Sequence, residues 1–140
     1  MAVREMVTHG NLLLAFEGDI ATDTTTNGFI FDTKDADLGV TFFIAASAYT
    51  DGTYKLTFTE GDDSGLSDGT TVGSEKIVVV SGSDAVDTGV TAATADGDSY
   101  FKAGVHSTKR YVRPNIVSTG TTTGATINVS CMLNGEVLPE

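Results

Sequence analysis

The chain has 140 residues, the length of one domain or of one domain with an arm, and enough to bury a core without staples. Its 19 acidic and 8 basic residues give a net charge of −11, a field that repels phosphate and disfavours non-specific binding to DNA, RNA or an anionic membrane. No apolar run is long enough to span a bilayer, no secretory signal is read at the N-terminus, and the single Cys131 leaves no internal disulfide.

Composition favours strands over helices. The chain holds 22 Thr and 16 Gly but no Trp and 2 Pro. Thr, Val, Ile and Phe suit a pleated, half-buried surface, while Gly and Asp suit turns. In chain order, residues 12–16 (Leu-Leu-Leu-Ala-Phe) come first. They do not alternate, so a half-exposed strand would leave leucines in water. They read either as a strand covered on both faces or as an arm lying against a partner. Phe29 and Phe31 flank Ile30 in a short strand. Val40, Phe42, Ile44 and Ala46 form an apolar file, with Phe43 on the opposite face. Asp51-Gly52 then reads as a hairpin signal. Residues 53–59 alternate most clearly, with Tyr54, Leu56 and Phe58 on one side. Residues 61–73 form a polar loop. Residues 75–80 end in Ile-Val-Val-Val and read as a buried strand. After a polar stretch over 82–98 come strands at 100–105 and 110–117. Pro114 lacks an N–H, which predicts an edge or a bulge. Thr119 to Gly124 is a Thr/Gly turn, and Ile127, Val129, Cys131 and Leu133 make the inner file of the last strand, closed by Asn134-Gly135. No stretch carries a convincing helical apolar stripe.

The expected fold is all-β: a two-sheet antiparallel sandwich of about eight strands, with a jelly roll preferred to an immunoglobulin-like arrangement. The Cys…Trp…Cys signature of the latter is missing. Residues 1–16 are read as an N-terminal arm or edge strand and residues 17–140 as a single sandwich domain.

Several motifs invite chemistry. Gly65-Leu66-Ser67-Asp68-Gly69 matches the G-x-S-x-G pattern of serine hydrolases, but it sits in a loop that leads into no helix. A base would have to come from His9 or His106. Asp62, Asp63 and Asp68, or Asp96 and Asp98, could offer oxygens to calcium, yet the EF-hand spacing and its closing glutamate are missing. No His or Cys pair has zinc spacing. Cys131 reads as a buried small hydrophobe. Asn128-Val129-Ser130 spells a glycosylation acceptor that is silent without secretion. Lys109, Arg110 and Arg113 form the basic cluster, interleaved with Tyr111. Given the net charge, ion pairs to aspartates or a subunit contact are preferred over nucleic acid, with Arg113 the residue expected to make an ordered pair. No catalytic residue, metal or cofactor is assigned.

Four segments carry a family likeness: Asp37-Leu-Gly-Val-Thr-Phe-Phe-Ile, Asp51-Gly-Thr-Tyr-Lys-Leu-Thr-Phe-Thr-Glu-Gly-Asp-Asp, Lys109-Arg-Tyr-Val-Arg and Thr126-Ile-Asn-Val-Ser. Across residues 29–133 the chain resembles the small β-sandwich head decoration, or cement, proteins of tailed bacteriophages. The resemblance implies a structural, non-enzymatic protein on the outer face of a virion capsid, assembled in the bacterial host cytoplasm. Its partner would be the major capsid protein, bridged and stabilised by repeated contacts. The expected oligomer is a homodimer or other homo-oligomer on the capsid lattice, without nucleic acid or membrane. Leu12, Leu13, Leu14 and Phe16 are the first expected contact residues, with Arg110 and Arg113 second. The alternatives are a carbohydrate-binding module or a tail- or fibre-associated adhesin of the same virus.

Overall fold

A computed structural model describes residues 12–36, 38–80, 85–86, 89–91 and 99–134. Its strands are β1 (Leu12–Ile20), β2 (Thr24–Asn27), β3 (Phe31–Asp32), β4 (Val40–Ser47), β5 (Thr53–Gly61), β6 (Thr70–Thr71), β7 (Ile77–Val80), β8 (Ala85–Val86), β9 (Gly89–Thr91), β10 (Ser99–Val105), β11 (Tyr111–Thr119) and β12 (Ala125–Leu133). One 3₁₀ turn, Ser74–Lys76, leads into β7. Every pairing is antiparallel. The first sheet runs β1-β12-β4-β10-β7; the second runs β2-β11-β5-β9-β8, with β3 also on β11 and β6 also on β5. The chain is thus an all-β, two-sheet sandwich.

The period-two files supply the core between the sheets. Phe42, Ile44, Ile127, Val129 and Cys131 point inward from the first sheet, and Tyr54, Leu56, Phe58, Val112 and Ile116 from the second. The rings of Phe42 and Phe58 meet across the middle with centroids 4.9 Å apart, and Phe31 packs edge-on to Phe42 at 6.3 Å. An aromatic pair across the core adds about 0.5–1.5 kcal/mol beyond its buried area.

Three expectations change. Asp51-Gly52 does not join a hairpin: β4 pairs with β12 and β10, β5 with β11 and β9, so the chain crosses between sheets there. The turn chemistry is still required, since Gly52 has φ +95° and a Cβ on it would strike Thr121 Oγ1. Pro114 lies in an interior strand rather than at an edge. It faces Phe58 of β5, and on its other flank β11 pairs β3 at Tyr111 and Val112 and β2 from Asn115 onward. The missing N–H falls in the gap between those two short strands, where the Pro114 carbonyl accepts the Gly28 N–H at 2.8 Å. Residues 75–80 are not a buried strand. They open as the 3₁₀ turn and continue as β7, at the end of its sheet with Val78 66% exposed.

Residues 12–16 belong to the sandwich as the first half of β1, at the other end of the same sheet. The strand runs on past residue 16 to Ile20, so no break separates that segment from the sandwich. It is covered on one face only. Leu13 and Phe16 pack on the core, Ala15 is buried at a bulge, and Leu12 and Leu14 face out. The polar stretch between β7 and β10 also holds the short strands β8 and β9, which pair with each other.

Candidate functional site

The outer face of the five-stranded sheet is the candidate site. Inward residues alternate with outward ones, so each strand contributes a fixed set. Cross-strand register places Leu12 beside Met132, Met132 beside Thr41, Thr41 beside Gly104 and Gly104 beside Val78. The next row is Leu14, Ser130, Phe43 and Lys102. Beyond it lie Glu17, Asn128 and Ala45, then Asp19, Thr126 and Ser47. The face therefore grades from apolar at one end to acidic and hydroxylic at the other. Leu12 is 61% exposed, Leu14 49%, Val78 66% and the neighbouring loop residue Leu38 68%. These are large apolar side chains left in water on one side of a small sandwich, the signature of a contact surface.

A shallow depression of about 360 Å³ lies on this face, lined by Thr41, Phe43, Val78, Lys102, Gly104 and Met132. A smaller one of about 160 Å³ adjoins it, reaching to Leu38 and Asn134. Gly104, with no side chain, lines both. A Cβ there would meet only the Val78 carbonyl oxygen, at an ordinary 3.8 Å. Neither sterics nor a positive φ requires this glycine.

At one end of the sandwich a third depression of about 460 Å³ is lined by Lys34, Asp62, His106, Ser107, Lys109 and Arg110 among others. Asp62, Lys109 and Arg110 in its lining are engaged internally. Lys109 pairs with Asp62 at 2.7 Å, and Arg110 grips Asp32 with two nitrogens at 3.1 and 2.9 Å while lying 5.2 Å from the Tyr111 ring. The Arg110 guanidinium holds the Asp32 carboxyl below its ordinary range, and the Lys109 ammonium does the same for Asp62. Beside them Lys76 pairs with the buried Glu60 at 2.6 Å, and the Ser107 hydroxyl also donates to Glu60. The ordered carboxylate pair belongs to Arg110, not to Arg113. The Arg113 Nε instead donates to Asn115 Oδ1 at 2.9 Å, because its strand position puts the asparagine, not an aspartate, within reach.

The remaining motifs among the described residues make local contacts. In the 62–69 loop, Asp68 accepts the N–H groups of Asp62 and Asp63, and Asp63 accepts those of Gly65 and Ser67. These amides hold both carboxyls below their ordinary range and turn their oxygens toward the loop's own backbone. Ser67 hydrogen-bonds Asp63 through both its N–H, at 3.2 Å, and its side chain. Cys131 is fully buried, and desolvation pushes its thiol up to about 12. Asn128 and Ser130 sit mid-strand on the outer face of β12, with Ser130 Oγ 3.3 Å from Asn128 Oδ1. His106 is exposed at the rim of the polar depression. His9, Asp96 and Asp98 lie outside the described residues, as do residues 1–11 and the Gly135 of the closing turn. Among the described residues no cluster of His, Cys, Asp or Glu could hold a metal ion, and no helix is long and apolar enough to cross a membrane.

Sequence reasoning named Leu12 and Leu14 but missed Met132, Val78, Leu38 and Gly104. They sit on four different segments, and only the register β12-β4-β10-β7 brings them together. No protein-family model, curated protein or solved structure matches the chain.

Proposed function

We propose that the chain is a decoration protein of a tailed-bacteriophage head, a cement subunit on the outer capsid surface that bridges and stabilises major capsid protein subunits. The observation that carries this reading is β1: an edge strand whose first half, Leu12 to Phe16, is uncharged and leaves Leu12 and Leu14 in water. Phe29, 63% exposed, lies against the same edge, its N–H donating to the Ala15 carbonyl at 2.9 Å. Soluble proteins blunt their edges with charge, proline or cover. The first half of β1 has neither charge nor proline and is covered at Ala15 by Phe29, so a partner strand would add around that point, with backbone hydrogen bonds for affinity and side-chain pockets for choice.

The finer fold reading agrees. Eight strands pair in nested fashion: β1 with β12, β2 with β11, β4 with β10, and β5 with β9. That is the pattern of one long hairpin rolled into two sheets, which we infer to be a jelly roll. A two-sheet sandwich with a partly apolar edge suits a load-bearing role. Contacts to two or more capsid subunits reinforce one another through effective concentration, so each can be modest.

The test uses heads prepared without the protein. Wild-type chain added back should occupy ordered positions in a density map of the particle and raise the temperature at which the heads rupture. Phe29→Glu should fold normally and lose most occupancy. Failure of the wild type to bind heads of the phage that encodes it, or full occupancy by the variant, defeats the reading. Removing residues 1–16 is not a usable test, since it takes away half of β1.

A further inference from the structure

We propose that the outer face of the five-stranded sheet is a self-association surface, on which a second copy of this chain packs face to face about a twofold axis. The argument starts from Gly104. Glycine inside a strand weakens it and commonly marks the close approach of another backbone or a ligand. Here the fold itself has room for a side chain, so whatever fills the notch comes from outside. The rows identify the occupant. Read across β1, β12, β4 and β10, the first row is Leu12, Met132, Thr41, Gly104: two long side chains, then a short one, then none. A twofold axis parallel to the strands and midway between β12 and β4 lays β1 of one copy over β10 of the other at the same height. Leu12 then enters the notch at Gly104, and Met132 covers Thr41, twice over. The second row matches in the same way, Ser130 opposite Phe43 and Leu14 along the stem of Lys102. A face that is complementary to its own reversed image is what an isologous contact requires.

Charge agrees with size. Two chains of net charge −11 repel, so a contact between them must lie where carboxylates are sparse. The first two rows hold none, and Lys102 makes no ion pair among the described residues. In the facing arrangement its ammonium lies between Leu14 and Glu17 of the other copy, within reach of that exposed carboxylate. The sheets would pack in the aligned manner of sandwich layers. Four strands about 4.8 Å apart and three rows about 6.8 Å apart cover roughly 400 Å² per partner, about half a standard interface. The dimer is therefore weak in dilute solution and strengthened wherever two copies are held near each other.

The test is sedimentation equilibrium of the full chain from about 1 μM to about 1 mM, with circular dichroism on each variant. The wild type should show reversible monomer–dimer association in that range, weakening when Lys102→Glu places like charges together. Gly104→Leu should fold as a monomer and lose association at least about tenfold, because the leucine occupies the space Leu12 needs. Combining Gly104→Leu with Leu12→Ala should restore part of it by exchanging knob and notch. A wild type monomeric throughout, or a Gly104→Leu variant that dimerises as well as wild type, overturns the proposal. Head binding is read separately with Phe29→Glu, which leaves this face untouched, so either idea can fail alone.

Discussion

Replacing Gly104 with valine should make the isolated subunit more stable, although the residue sits in the middle of its sheet. The position lies in β10 between β4 and β7, paired with Thr41 and Val78. Its φ is not in the left-handed region, and a Cβ meets nothing closer than the Val78 carbonyl oxygen at 3.8 Å. Native-state strain is therefore small. The gain comes from two sources: the unfolded chain loses glycine's extra conformational freedom, and a β-branched side chain covers Phe43 and Val78 on the pleated surface. Each is worth about 0.5–1 kcal/mol, so a net gain near 1 kcal/mol is expected. For a domain of this size that raises Tm by about 3–5 °C. Urea unfolding at a few micromolar protein, where the subunit is monomeric, measures it without interference from association. A Gly104→Val variant less stable than wild type at low concentration would show that the glycine serves the fold, and the case for an external occupant would lose its starting point.

Other substitutions probe the interior and the crossings. Phe42→Ala removes the ring that links Phe31 to Phe58 and should cost about 3–5 kcal/mol in urea unfolding, since the two sheets cannot close over the void. Asp51 receives the Thr122 hydroxyl first and then the N–H groups of Gly124, Thr123 and Thr122, which hold its carboxyl down to about 2. A folded-state value below the ordinary 3.8 stabilises the fold above that pH and stops doing so as pH falls through about 2. Asp51→Asn should therefore lower Tm at pH 6, and the gap to wild type should narrow between pH 4 and pH 2; a constant gap would separate the residue's role from its charge. Cys131 should resist thiol reagents in the native protein at pH 8 and react on unfolding in urea, and modification without unfolding would place it outside the core.

Much of the architecture is legible in the chain because period-two alternation reports burial directly. The files Tyr54-Leu56-Phe58 and Ile127-Val129-Cys131 point into the core as their parity predicts. What alternation cannot report is which strand lies beside which. Asp51-Gly52 carries the chemistry of a tight turn whether it links two strands of one sheet or two sheets, and only the long-range partners of β4 and β5 decide that. β2 is Thr-Thr-Thr-Asn, with no apolar file to betray it, and is held by its ladder to β11. The exchange of Arg113 for Arg110 as the ordered ion pair has the same origin. Asp32 reaches the latter because β3 lies against the start of β11, a neighbourhood invisible from spacing along the chain. Leu12 and Leu14 stood out because three leucines in a row fit no half-exposed strand, yet their companions on the face are single residues that look ordinary one at a time.

The proposed face contact takes the outward side chains Leu12 and Leu14, and the proposed head contact is left the β1 backbone edge and Phe29, so the two together have a mechanical consequence. A contact through the sheet face places β1 of each copy over β10 of the other, so the two β1 edges end on opposite flanks of the pair. Each edge keeps its outer side, held at Ala15 by the Phe29 N–H, as the place where the proposed head contact would form. On the proposed reading such a pair would present two identical edges related by a twofold axis, the symmetry needed to join two equivalent neighbours on a closed shell. The weak face contact and the edge contacts then depend on each other. Subunits seated on adjacent sites find one another at high effective concentration, and a pair once formed releases from the surface only if both edges let go. Occupancy of heads by Gly104→Leu should accordingly fall most at low protein concentration and recover at high, whereas Phe29→Glu should fail at both. Equal titration curves for wild type and Gly104→Leu would break that link while leaving each contact to stand on its own test.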